Sequence, residues 1–241
     1  MTSYEKIIEN EVKSWQRKML ASPGFFNNLA KKLQVKINKV IPEKVHEAIT
    51  VAMREMIKAV LYGAGLTTPS PVSGLSLEER ETNIESKIDV YRKTAAAEGG
   101  VTGAGGLLLG LADFPILLGL KLKMLFDIAA GYGYNADDYK ERVYILYIFQ
   151  LAFSSDEHRK NIYLKIHDWE EHKKELPAEM SQFDWRSLQQ EYRDYIDLAK
   201  MAQLIPVIGA PVGIVVNYRL VKKLGHTAMN AYRMRWLATK L

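Results

Sequence analysis

The chain has 241 residues, of which 48% are apolar and 25% charged, a balance typical of a globular protein rather than a disordered one. It has no cysteine, which excludes disulfides, cysteine-ligated zinc and thiol catalysis and fits a reducing compartment. Its net charge of +5 is unevenly distributed along the chain, because residues 206–241 hold six basic residues and no acid. This asymmetry indicates either an anionic partner, membrane or nucleic acid, or simply solvated basic faces.

The first sixty residues predict three amphipathic helices. Apolar residues recur at intervals of three or four over 4–19, 26–40 and 45–60. The first residues are charged throughout and form no apolar core, so we expect no secretory signal and a cytoplasmic location. We expect residues 1–66 to form an N-terminal group of helices.

The middle of the chain also predicts helices. The sequence TTPSPVSG (67–74) lacks a periodic pattern and predicts a loop, and a helix follows over 77–97. Asn135 and Asp137 are candidate caps for the next helix. Its segment VYILYIFQLAF (143–153) is apolar on nearly all sides, which predicts a buried helix.

The remaining third of the chain also predicts helices. A charged helix is predicted to reach about Lys174, and a further helix, capped by Ser181 or Asp184, to reach Ile205. A second glycine-containing apolar piece, IPVIGAPVGIVV (205–216), then leads into a last helix. No segment alternates with period two for long. We therefore predict an all-α helical bundle, with residues 77–241 as its main domain.

A glycine-rich stretch, residues 95–133, stands apart from this background. Val101–Leu120 contains twelve apolar residues and five glycines, and Asp113 is its only charge. Asp113 followed by Pro115 has the form of a helix start, with an Asp cap and a proline in the first turn. We therefore predict a glycine-rich apolar helical hairpin at the centre of the bundle, with a turn at Asp113.

The surface of this hairpin has two possible environments. A single membrane span is disfavoured, because a central carboxylate costs about 2.5–3.5 kcal/mol on insertion scales. A buried soluble core and partial membrane insertion both remain open. In the second case Asp113 could act as a functional intramembrane acid instead of a cap.

The glycines predict close helix packing. Pairs four residues apart let helix backbones approach each other, and the same spacing occurs in both apolar pieces. We expect the two pieces to pack together through these glycines. The predicted structural residues are Gly99, Gly103, Gly106, Gly110, Asp113, Pro115, Gly209 and Gly213.

The last helix predicts a basic face. On a helical wheel its basic residues fall in one sector, with Tyr218, Met229 and Trp236 near one border and Arg235 as the exception, pointing into the apolar sector. Such a face is typical of an interfacial membrane helix, and the alternative is a solvated helix of a soluble bundle. Nucleic acid is disfavoured, because no stacking aromatics are interleaved. The predicted membrane contacts are Arg219, Lys222, Lys223, Arg233 and Trp236.

Motifs for catalysis or for a cofactor do not stand out. GGVTGAGG lacks the Lys-Ser/Thr of a phosphate-binding loop and follows no strand. The histidines of HDWEEH are five residues apart and diverge on the helix, unlike those of HExxH, so a solvated charged face is favoured over a metal site. The residues nominate no catalytic, cofactor-binding or metal site and no cofactor.

The glycine-rich stretch and the second apolar piece together resemble the EcsC protein family. The resemblance rests on the glycine run ending in Asp113 and Pro115, on Gly131-Tyr132-Gly133, and on Ile205-Pro206 with Gly209 and Asn217. It covers roughly 90–240. Because the family's namesake is encoded beside an ABC transporter, the resemblance implies a membrane-associated accessory of such a transporter, or a lipid-binding module. It carries over no catalytic residues, and a soluble hydrolase with a site near the hairpin is the alternative.

Overall fold

A computed structural model describes residues 1–21, 43–62, 69–104, 106–196 and 210–240, without the side chains of 43–46, 99, 101–113, 193, 210–213 and 216. Within these ranges the chain forms helices and no strand, which confirms the predicted all-α class. The helices are α1 (Ser3–Leu20), α2 (Glu43–Tyr62), α3 (Leu77–Ala104), α4 (Gly106–Gly131), α5 (Tyr139–Phe153), α6 (Arg159–His167), α7 (Trp169–Glu175), α8 (Trp185–Tyr195) and α9 (Ala210–Ala238).

The bundle is built around α9 and α3, the two longest described helices, which share the most extensive contact in the structure. Glu81 meets Arg233 at one end of this pair, and Gly100 meets Ile214 at the other, so the helices run antiparallel. Helix α4 packs on both and runs parallel to α9. The N-terminal ends of α4 and α9 therefore lie at the same end of the molecule.

Helix α5 forms the centre of the core. Every side chain from Val143 to Phe153 is buried, as the uninterrupted apolar sequence predicts. Asp138 caps the helix by accepting a bond from the Lys140 amide at 2.9 Å, so the predicted caps Asn135 and Asp137 are wrong by a few residues. Helices α2, α6 and α9 pack around α5, while α1 packs on α6 and α9.

The predicted turn at Asp113 is wrong. Asp113 and Pro115 lie inside α4, which runs without a break from Gly106 to Gly131. Pro115 removes one backbone bond, to the carbonyl of Leu111, but the apolar residues that follow it keep one helical face buried. This packing outweighs the local capping signal. The buried residues of this part of α4 are Phe114, Leu117, Leu118 and Leu122.

Several boundaries also differ from the predicted ones. The charged helix after residue 155 breaks at Asp168 into α6 and α7. Helix α8 is capped by Asp184 as predicted, but it ends at Tyr195, where Ile196 bridges back to Ser154. The predicted helix over 26–40 and residues 197–209 lie outside the described residues. Among the described helices, none combines the length and the apolar run that crossing a membrane requires.

Candidate functional site

The N-terminal half of α9 exposes a stripe of basic side chains. Val215, Arg219, Lys222 and His226 follow at intervals of four, three and four residues, so they share one helix face, and all are exposed. Lys223 is exposed beside them. Partial removal of the ring from water and the charge of Lys222 lower the pKa of His226, which favours its neutral form. The stripe therefore carries three full positive charges.

Exposed apolar side chains lie where this stripe begins. Ile214 is 41% exposed and Val215 47%. Ile214 also packs against Gly100, where an added Cβ would lie 3.0 Å from its Cγ1. We call the five residues Ile214, Val215, Arg219, Lys222 and Lys223 the amphipathic end.

A buried lysine lies beneath the amphipathic end. The side chain of Lys121 is 1% exposed, and its Nζ donates to the Leu117 carbonyl at 3.2 Å and to Asn217 Oδ1 at 3.4 Å. Burial lowers the pKa of Lys121 to about 7, although the charge of Glu98 opposes this shift. An uncharged amine is thus compatible with the interior between α3, α4 and α9.

Arg233 does not belong to the exposed stripe, and its predicted membrane contact is wrong. Its side chain is 7% exposed, because Nε and Nη2 donate to Glu81 at 2.8 and 2.6 Å and Nη1 donates to Glu11 at 2.9 Å. Trp236 also departs from the predicted role. It is half-buried at the opposite end of α9, with the guanidinium of Arg80 5.2 Å from its ring centroid.

Arg235, the residue that broke the predicted basic face, occupies an aromatic cage. Its guanidinium carbon lies 3.7 Å from the ring centroid of Tyr134 and 4.6 Å from that of Tyr144. Nη1 donates to both carboxylate oxygens of Glu141, at 3.0 and 2.8 Å. Burial lowers the pKa of Arg235, but Glu141 and the surrounding tyrosines together outweigh that effect, and the net pKa is above the usual value.

The Arg235 cage forms part of the wall of a cleft of about 820 Å³. Its lining comes from α1, from residues 133–141, from α6 and α7, and from the last turns of α9. The size is that of a small-molecule site. The sequence does not predict this cleft, because its walls come from segments far apart in the chain. The lone signal in the sequence is Arg235 on the apolar side of α9.

The structure does not describe the surroundings of most of the glycines that were predicted to pack closely. Gly99, Gly103, Gly106, Gly110 and Gly213 lie in helices, but the structure does not describe what they contact, and Gly209 lies outside the described residues. Their role in close packing stays a prediction. Close approach does occur at Gly131, where an added Cβ would lie 2.6 Å from Ile84 Cγ1.

The two histidines of HDWEEH contact different carboxylates. His167 Nδ1 lies 2.6 Å from Asp168, and His172 Nδ1 lies 3.4 Å from Glu175. No cluster of three or more His, Asp or Glu side chains suited to a metal ion occurs in the part of the chain that the structure describes.

Comparison with known proteins gives four findings. Residues 6–237 match the model of the EcsC protein family. Protein EcsC of Bacillus subtilis (strain 168) is 42% identical over 233 residues, which cover 96% of this chain and 96% of that protein. A protein of the same organism described as uncharacterized protein YdbA is 26% identical over 253 residues, covering 96% and 92%. No solved structure matches the chain significantly.

Proposed function

This chain belongs to the EcsC protein family, and from that premise we propose that it binds peripherally to an anionic lipid surface through the amphipathic end. The observation that carries the proposal is the continuity of exposed apolar and basic side chains along α9. Ile214 and Val215 precede Arg219 by little more than one helical turn. Such an arrangement lets apolar groups enter the interface while cations meet lipid phosphates.

The expected strength follows from the charges. Each Lys or Arg near an anionic surface contributes about 1 kcal/mol, so the three bases of the amphipathic end together give about a hundredfold in affinity. Salt screens this part of the attraction and leaves the apolar part in place. At such a surface the chain would meet integral proteins. The family resemblance implies one class of them, the ABC transporters, to which this protein would be an accessory.

The test is flotation with lipid vesicles at several salt concentrations. We expect the protein to float with vesicles containing phosphatidylglycerol more than with pure phosphatidylcholine, and less as salt rises. The triple variant Arg219→Gln, Lys222→Gln, Lys223→Gln should lose most of the preference for anionic vesicles.

A matched control removes the same charge elsewhere. Lys6, Lys18 and Lys160 are exposed on α1 and α6, away from the amphipathic end. Their replacement by Gln should leave flotation almost unchanged. If both triple variants lose vesicle binding equally, the change in net charge alone explains the loss. If the wild-type protein stays unbound at low salt, the proposal fails and the hydrolase alternative moves ahead.

A further inference from the structure

The cleft beside Arg235 has the features of a binding site for a small molecule. It lies at the C-terminal end of α9, about twenty residues from Val215, which corresponds to about 30 Å along the helix. It is therefore separate from the amphipathic end, and the inference below does not depend on the proposed function.

The Arg235 guanidinium has donor capacity that the described residues leave partly unused. Its Nη1 is fixed by both oxygens of Glu141. Its Nη2 has only a long contact, 3.5 Å, with Glu170. Its Nε is buried and has no hydrogen-bond partner within the described residues. An arginine fork is suited to a planar carboxylate, so this edge is incompletely satisfied.

Glu170 marks the position that an anion would take. Its side chain is 59% exposed, so its bond to Arg235 is screened and weak. It also pairs with Lys173, one turn further along α7. A ligand carboxylate can therefore replace Glu170 beside Nη2, while Lys173 keeps the displaced Glu170 neutralised.

The other acids of the cleft are already engaged. Glu9 pairs with Lys13 at 2.6 Å, and Glu141 is held by Arg235. Asp138 caps α5. A cationic ligand would have to compete with these contacts, whereas an anion meets the Nη2 edge of Arg235 and the ammonium of Lys240, which both line the cleft. The charges therefore favour an anionic head group.

The lining also includes apolar side chains, which suit a hydrocarbon tail. These side chains come from four helices, α1, α6, α7 and α9, and a cleft of about 820 Å³ is ample for a chain of ten carbons. These apolar lining residues are Val12, Ile166, Trp169, Met234 and Leu237.

We propose that the cleft binds an amphipathic carboxylate, with its head group on Arg235 in the place of Glu170 and its apolar tail between α1 and the end of α9. The ligand class is a medium- or long-chain fatty acid or another carboxylate on an apolar body. Both kinds of ligand present a carboxylate and an apolar body to the cleft.

The test is calorimetric titration with sodium decanoate below its micelle concentration. We expect saturable binding at one site, much weaker binding of acetate, and none of decyltrimethylammonium. Phenylbutyrate distinguishes the two kinds of ligand. A site for any apolar carboxylate accepts it, whereas a site specific for acyl chains does not. Preferential binding of the cation, or absence of decanoate binding, would overturn the proposal.

Two glutamates on α7 provide a matched pair of variants. Glu170→Gln frees Arg235 without touching the core and should tighten decanoate binding about two- to fivefold. Glu171→Gln removes a neighbouring acid that pairs with Lys174 in the same way but does not line the cleft, and it should change nothing. Equal affinities of the two variants would show that the head group does not replace Glu170.

A blocking variant locates the site. Ala238 is exposed and lines the cleft, so Ala238→Trp should fill it and abolish decanoate binding while the protein remains folded. The triple variant of the amphipathic end should bind decanoate like the wild type. Loss of binding in that triple variant instead would place the ligand at the amphipathic end and exclude the cleft.

Discussion

Arg233 and Glu81, 152 residues apart in the sequence, are joined in the interior by two bonds of 2.8 and 2.6 Å. The carboxylate of Glu81 is fully buried and also accepts from the hydroxyls of Tyr4 and Tyr132, both at 2.7 Å. One acid of α3 thus connects α1, the end of α4 and α9. A buried charge of this kind is tolerated only while its partners are present.

Removing Arg233 alone should therefore destabilise the fold strongly. We expect Arg233→Met to lower the free energy of unfolding by about 3–5 kcal/mol, because Glu81 is left charged and unpaired. The double variant Arg233→Met, Glu81→Gln should be more stable than the single one, since no charge remains buried. Urea unfolding of both variants measures the difference. A single variant as stable as the double one would contradict the charge argument.

Lys121 should make stability depend on pH. Burial lowers its pKa to about 7 in the folded protein, whereas an unfolded lysine titrates near about 10.4. Between these values the unfolded state binds more protons, so stability rises with pH. We expect the gain from pH 7 to pH 9 to be about 2 kcal/mol larger in the wild type than in Lys121→Met.

The control for this experiment lies on the same helix. Lys123 is exposed, and Lys123→Met should keep the wild-type pH dependence. Urea unfolding at pH 7, 8 and 9 provides the data. A Lys121→Met variant with the same rise as the wild type would show that this lysine does not lose its proton in the folded state.

Two glycines of α4 should respond in opposite directions to the same substitution. Gly131→Ala should cost about 1–3 kcal/mol, because its Cβ would lie 2.6 Å from Ile84 Cγ1. Gly119 has no atom within 4 Å of an added Cβ. Gly119→Ala should therefore stabilise α4 by up to about 1 kcal/mol. Thermal unfolding compares the two, and a stable Gly131→Ala would show that the α3–α4 contact adapts.

The capping bond of α5 gives two neighbouring aspartates, Asp137 and Asp138, different expected effects on stability. Asp138 accepts from the Lys140 amide, so Asp138→Ala should cost about 0.5–2 kcal/mol. Asp137→Ala should cost less, because the structure assigns the capping bond to Asp138. The unfolding free energies of the two variants decide the matter. A larger loss in Asp137→Ala would favour the cap position expected from the sequence.

The sequence predicts the helices where burial and periodicity agree. The bounds of α1 and the burial of α5 follow directly from their apolar residues. The turn at Asp113 was wrong because a local capping signal competed with an apolar face on α4, and tertiary packing was stronger. Local chemistry alone could not reveal which of the two would prevail.

The polar interior was less predictable for a different reason. Glu81 stands in the acidic start of α3, where the helix dipole is a sufficient explanation for an acid. Its pairing with Arg233 depends on a residue on another helix. Arg235 could be recognised as anomalous, but its cage of Tyr134, Tyr144 and Glu141 comes from segments about ninety residues away.

The absence of acids from residues 206–241 has a consequence for the order in which the protein can fold during synthesis. The buried carboxylates of Glu81 and Glu141 leave the ribosome well before Arg233 and Arg235, their cationic partners. Until α9 emerges, both acids must remain hydrated or protonated. We therefore expect the nascent chain to stay open until α9 arrives and the interior can close around these ion pairs.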